Sequence, residues 1–274
     1  MNAPTASELD PDLMWFVLAM SRLEWGYAQL RAGEDDPRWE TSEFGTNVGE
    51  VLNEAGANLY YFSVTRSLKS ATKCHQAAVF LLKEPYGAIP VENLLRAALL
   101  ATVKVLFILQ PNKRKSREAR FGHLYHADRS SLEYAASREL KLLGLETPND
   151  EAQQSRPQPI QESKIIRDVL DDLVAYGDCS CNDAACPQTD IKDFRHRVLR
   201  LWWQYSSVSH VNIWHIEKLA RASPSGDGYT TGDLGRALHD LSWLYTEAVV
   251  RFHERYNLPT KLSPLEPHAA RSFH

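Results

Sequence analysis

The stretch "SREARFGHLYHADRSS", residues 116–131, places Arg117, Arg120, His123, His126 and Arg129 within thirteen residues. Arginine grips phosphate with a planar fork, and histidine is the natural acid or base near neutral pH. On a helix, residues three apart are neighbours, so Arg120, His123 and His126 form a slowly drifting stripe that Arg129 continues. Such a stripe could bind RNA and promote attack of a 2′-hydroxyl on the adjacent phosphate, with Arg120, His123 and His126 as catalytic candidates. The plainer reading is a solvated helix face. Six residues along a straight helix turn through about 600°, which leaves Arg120 and His126 about 120° apart. Gripping one phosphate together would need a distorted helix start or a second subunit.

Arg96 is a second candidate. It lies in "IPVENLLRAALLATVKVLFIL", the most apolar stretch of the chain. An unpaired buried charge is very costly, so Arg96 must be paired or reach a cavity. Tyr205, Ser209, His210 or Glu217 could supply the partner, in a core polar network or at the wall of a ligand pocket.

The loop "GDCSCNDAACPQ" gathers Cys179, Cys181 and Cys186, with His196 ten residues on. Zinc wants four nitrogen or sulfur ligands. The C-x-C-x4-C spacing departs from the usual paired knuckles, so the expectation is an exposed loop without metal. Trp202, Trp203, Tyr205 and Trp214 suit a core or a dimer contact. Asp168, Asp171 and Asp172 read as a solvated face. P-loop, G-x-G-x-x-G, G-x-S-x-G and H-E-x-x-H patterns are absent, and no cofactor is expected.

These residues sit on a chain whose hydrophobic period is helical almost throughout. Asp10 is a plausible N-cap with Pro11 behind it, opening a helix that runs to about Gly33. Helices follow at about 46–83, 91–110, 112–143, 160–176 and 233–256, with a helix or helix pair over 190–220. The 91–110 segment is apolar almost all round and reads as the central buried helix. In the last helix Leu234, Ala237, Leu238, Leu241, Leu244, Tyr245, Ala248, Val249 and Phe252 keep i, i+3, i+4 order. The fold class is all-α, a bundle of about six to eight helices. Residues 1–256 read as one domain, with a candidate internal boundary at the 145–160 linker, and 257–274 as a proline-rich tail.

The chain has 274 residues, 43% of them hydrophobic and 24% charged, with a net charge of −4. That balance argues against a general binder of duplex DNA, which carries a basic field. The longest apolar run, 98–109, is too short to span a bilayer, and Lys104 interrupts it. The N-terminus lacks the basic and apolar regions of a signal peptide. Four cysteines do not make a disulfide scaffold. A cytoplasmic protein is expected.

The spacing from Arg120 to His126, and from Arg117 to His123, resembles the R-x4–6-H pattern of HEPN ribonucleases. Those are small all-helical proteins of toxin–antitoxin and phage-defence systems that work as dimers without metal. The polar residue that often follows the family's arginine is missing: Phe121 and Glu118 stand there. A wider resemblance, over residues 85–215, is to uncharacterised bacterial helical proteins distantly similar to HEPN. Arg96 and the Tyr205, Ser209, His210 element are its counterparts, and Leu100 stands where an acidic residue is common. These resemblances imply a HEPN-like protein acting through self-association and partner or RNA binding. The alternatives are a metal-independent endoribonuclease using Arg120 and His126, and a small-molecule-binding bundle with Arg96 at its pocket.

Overall fold

A computed structural model describes residues 11–34, 54–81, 88–142, 161–175, 191–209 and 231–255. These hold seven helices: α1 (Pro11–Glu34), α2 (Glu54–Leu81), α3 (Ala88–Leu109), α4 (Arg114–Leu142), α5 (Glu162–Ala175), α6 (Ile191–Ser209) and α7 (Thr231–Arg255). No strand occurs among the described residues, and the all-α bundle expected from periodicity is what forms. None of these helices is long and apolar enough to cross a membrane.

α3 is the centre of the bundle. It packs against α2, α4, α5, α6 and α7. Val91, Leu95, Leu99, Val103 and Leu106 recur at helical spacing and are buried, so several partners can be served at once. The helix begins at Ala88, earlier than the proline at position 90 suggested. Pro90 falls in the first turn, where the backbone N–H it lacks has no acceptor within the helix, so it starts the helix rather than breaking it. Pro111 follows the last turn.

α7 lies along α1 and also touches α3. Its Leu238, Leu241, Leu244, Tyr245, Ala248, Val249 and Phe252 are enclosed. Each large apolar side chain so buried stabilises the fold by roughly 1.5–3 kcal/mol. Buried residues from all seven helices join in one core.

One close approach fixes how α1 meets α7. A Cβ on Gly26 would lie 2.6 Å from Cε1 of Tyr245, closer than carbon atoms pack. The Tyr245 ring is held in place. Its hydroxyl is 2.6 Å from Thr72 Oγ1, and Thr72 spends its own proton on the Leu68 carbonyl at 3.0 Å, so Tyr245 is the donor. Fully buried His75 stands edge-on to the same ring at 6.1 Å.

α4 behaves differently along its length. Phe121 stacks on Tyr60 of α2 at 5.0 Å, and Leu124 and Ala127 are buried. Beyond Ala127 the helix leaves the core. Leu132 is 73% exposed, and Ala135 and Ala136 are exposed as well.

Candidate functional site

The basic stripe of α4 begins at the C-terminal end of α3. The last carbonyls of a helix have no partner within it, and they carry the negative end of its dipole. Arg120 donates from Nη1 to the Phe107 carbonyl at 2.8 Å, with its guanidinium 4.5 Å from the centre of the Phe107 ring. Arg117 donates to the Asn112 carbonyl at 2.7 Å and to that of Pro111. Arg255, from α7, donates to the Leu109 carbonyl at 3.3 Å. Three arginines therefore close this corner. Arg114 pairs with Glu118 at 2.7 Å and Arg129 with Glu133 at 2.8 Å, each within α4.

His123 and His126 face solvent, the latter edge-on to Tyr125 at 5.7 Å. Among the described residues no hydrogen bond joins either histidine to Arg120. Arg120 instead lies 3.8 Å from Asp172 of α5. Asp171 pairs with Arg195 at 2.6 Å. These two aspartates, expected only on a wet face, help tie α5 to α4 and α6.

Arg96 is less deeply set than the apolar run around it suggested. Arg96, Leu100 and Lys104 fall every fourth residue, and all three are only partly buried. Together with exposed Asn93 and Ala97, this line belongs to the wetter side of a helix whose other side is enclosed. Arg96 Nε donates to Ser206 Oγ at 3.3 Å, within the region where a partner was expected. Its shorter bond is to Glu162 Oε2 at 2.8 Å, from the first residue of α5. Lys104 closes the other end of the line through Asp128 of α4, at 3.2 Å.

Beside this line runs a groove of about 380 Å³, lined by Arg66, Ser67 and Ser70 of α2, Leu100, Ala101 and Lys104 of α3, and Glu162 of α5. Its volume is in the range of small-molecule sites. Arg66 is exposed and makes no hydrogen bond or ion pair among the described residues. The groove is thus floored by apolar side chains and rimmed by charge, with the Arg96–Glu162 pair at its edge.

Tyr205 does not reach this groove. It is completely enclosed, and a second polar cluster surrounds it between α3, α6 and α7. Glu92 accepts from Gln204 Nε2 at 3.3 Å. Burial pushes its carboxyl up to about 8, against the opposing pull of that hydrogen bond. Burial, then the nearby Glu92 and Asp240 charges, raise the Tyr205 hydroxyl above its ordinary range. Asp240, itself buried, is held by Arg197 at 2.8 Å. Next to it, burial lowers His239, with Asp240 opposing. The cluster fixes how three helices meet.

Ser209 ends α6, while His210, Trp214 and Glu217 lie outside the described residues, as do Cys179, Cys181 and Cys186. His196 is exposed on α6. Among the described residues no group of three His, Cys, Asp or Glu side chains is placed to hold a metal ion.

Sequence reasoning missed Arg66, Glu162, Glu92 and Asp240. Glu162 carried a signal as an acidic residue at a helix start. Arg66 carried none, because its distinction is to lack a partner among the described residues.

Comparison of the chain with protein-family models, with curated proteins and with solved structures finds no match in any of the three. The functional reading therefore rests on the geometry of the site.

Proposed function

We propose that this chain is a small-molecule-binding helical bundle whose site is the groove along α3, with Arg96 at its edge. The observation that carries this is the groove itself: an apolar floor at Leu100 and Ala101, with the guanidinium of Arg66, unengaged among the described residues, beside it. Binding sites pair apolar lining with a few placed polar groups. Arg96 supports the reading because its partners Glu162 and Ser206 come from two further helices and so hold the rim in place. The arginines at 117 and 120 favour it indirectly. They are engaged with backbone carbonyls at the end of α3, which leaves them little to offer an RNA phosphate.

The test is a set of amide correlation spectra of the labelled protein with small aromatic probes added. Shifts should gather at Ser67, Ser70, Leu100 and Ala101. Shifts confined to another face, or none at millimolar probe, would remove the reading.

The outer half of α4 favours a second, compatible reading, self-association. Leu132, Ala135 and Ala136 give it an exposed apolar stripe. Arg129 and Glu133 carry opposite charges one turn apart beside it. An antiparallel two-fold pairing centred near Ser131 sets Arg129 of each copy against Glu133 of the other, the self-complementarity that a symmetric dimer requires. Sedimentation should then show a dimer that Leu132→Asp converts to monomer, and a monomeric wild type would exclude it.

A further inference from the structure

We propose that the α3 groove binds a phosphomonoester, its phosphate seated on Arg66, Ser67 and Ser70 and its body lying over Leu100 and Ala101. This rests on the reading of the groove as the binding site and names what it binds.

Charge is the first argument. Three cations line or edge the groove: Arg66, Arg96 and Lys104. Two of them are already answered by carboxylates, Arg96 by Glu162 and Lys104 by Asp128. Among the described residues Arg66 is not, so they leave the site one positive charge in excess, which favours an anion.

Donor geometry is the second. Arg66 and Ser70 are four residues apart on α2, and Ser67 and Ser70 three, so all three share one helix face. Neither serine hydroxyl has a hydrogen-bond partner among the described residues. A guanidinium fork with two hydroxyls on one helix face supplies four donors, which the three terminal oxygens of a phosphomonoester can accept.

Size is the third. A groove of about 380 Å³ is much larger than a phosphate ion, and its floor is apolar. The remaining space calls for an organic body attached to the phosphate. Glu162, on the opposite rim, can accept a hydrogen bond from a hydroxyl or amine on that body.

The proposal is tested by calorimetric titration of the full chain with phenyl phosphate, inorganic phosphate, benzoate and benzyl alcohol. Wild type should bind phenyl phosphate about tenfold or more tightly than any of the other three. Arg66→Ala should abolish that preference, and Arg66→Lys should keep part of it. Arg66 is exposed and has no partner among the described residues, so both variants should unfold at the wild-type midpoint, which a denaturant curve checks. Equal binding of benzyl alcohol and phenyl phosphate, or an unaltered preference in Arg66→Ala, would overturn the phosphate assignment while leaving the groove as a binding site. Benzoate binding as tightly as phenyl phosphate would overturn phosphate in favour of a carboxylate. Inorganic phosphate as tight as phenyl phosphate would overturn the organic body. Failure of all four probes would overturn the groove and the proposal together.

Discussion

Arg120 donates from Nη1 to the carbonyl oxygen of Phe107 at 2.8 Å and lies over the ring of the same residue. Both groups belong to the last turn of α3, so one side chain closes an orphan carbonyl and packs on the ring of buried Phe107. The stripe of arginines and histidines that invited a catalytic reading is thus divided. Its arginines are turned to the backbone or to acids on the same helix, and its histidines to water.

Arg120→Ala should lower stability by about 1–2 kcal/mol, the scale of a charge-assisted hydrogen bond together with a partly exposed cation–π contact. His126→Ala should stay within about 0.5 kcal/mol, as exposed positions do. Urea unfolding of the two variants measures both. A larger loss from His126 than from Arg120 would contradict the division.

Gly26→Ala should destabilise the protein although alanine is the better helix former by about 1 kcal/mol. The added methyl meets the Tyr245 ring at 2.6 Å, and the bond to Thr72 keeps that ring from yielding. The net cost should be about 1–3 kcal/mol, as for other overpacked cores. A raised unfolding midpoint would show that α1 and α7 have room to separate.

Glu92 makes stability depend on pH. Its folded-state value of about 8 lies above its ordinary 4.5, so the folded chain keeps a proton that the unfolded chain releases. The sign follows: this contribution is whole below about pH 4.5 and is lost as pH rises toward 8. Glu92→Gln holds the neutral form permanently. Its stability relative to wild type should improve across that window, by up to about 1 kcal/mol per pH unit. His75, pushed down to about 4 by burial with the Ala71 carbonyl opposing, works in the other direction, losing stability as pH falls from 6.5. Subtracting wild-type from variant unfolding curves cancels it. A difference that does not change between pH 5 and 8 would contradict the burial of Glu92.

Arg96→Ala should cost no more than about 1 kcal/mol. An unpaired charge left in the core costs several times that, as the apolar sequence around Arg96 suggested. Its carboxylate partner, however, is 40% exposed, and water screens the pair. A double-mutant cycle with Glu162→Gln measures the coupling. A value of 3 kcal/mol or above would return Arg96 to the core, on the scale of a broken buried pair.

The helices were legible because their apolar residues repeat every three or four positions, and α7 shows it most clearly. Partner choice was much less so. Glu92 and Arg96 are four apart on α3, the spacing of a helical ion pair, yet they part company. Glu92 turns inward to Gln204, 112 residues away, and Arg96 outward to Glu162, 66 residues away. Which of the two faces water is decided by α5 and α6, and no local pattern records where those helices dock. The groove was hidden for the same reason. Arg66, Ser67 and Ser70 look like an ordinary polar face until α3 and α5 are set beside them. The arithmetic of the α4 stripe did show a difficulty in the sequence, since Arg120 and His126 point about 120° apart on a straight helix.

The most direct test of the account is the dissociation constant of phenyl phosphate for Ala101→Trp beside wild type. Ala101 lies on the groove floor and is only partly buried, so an indole there covers that floor and leaves every charged residue unchanged. The account predicts a variant that folds normally and binds about tenfold or more weakly, the loss expected when a site's apolar floor is blocked. Equal affinity in the two proteins would place binding elsewhere and contradict the assignment of the α3 groove.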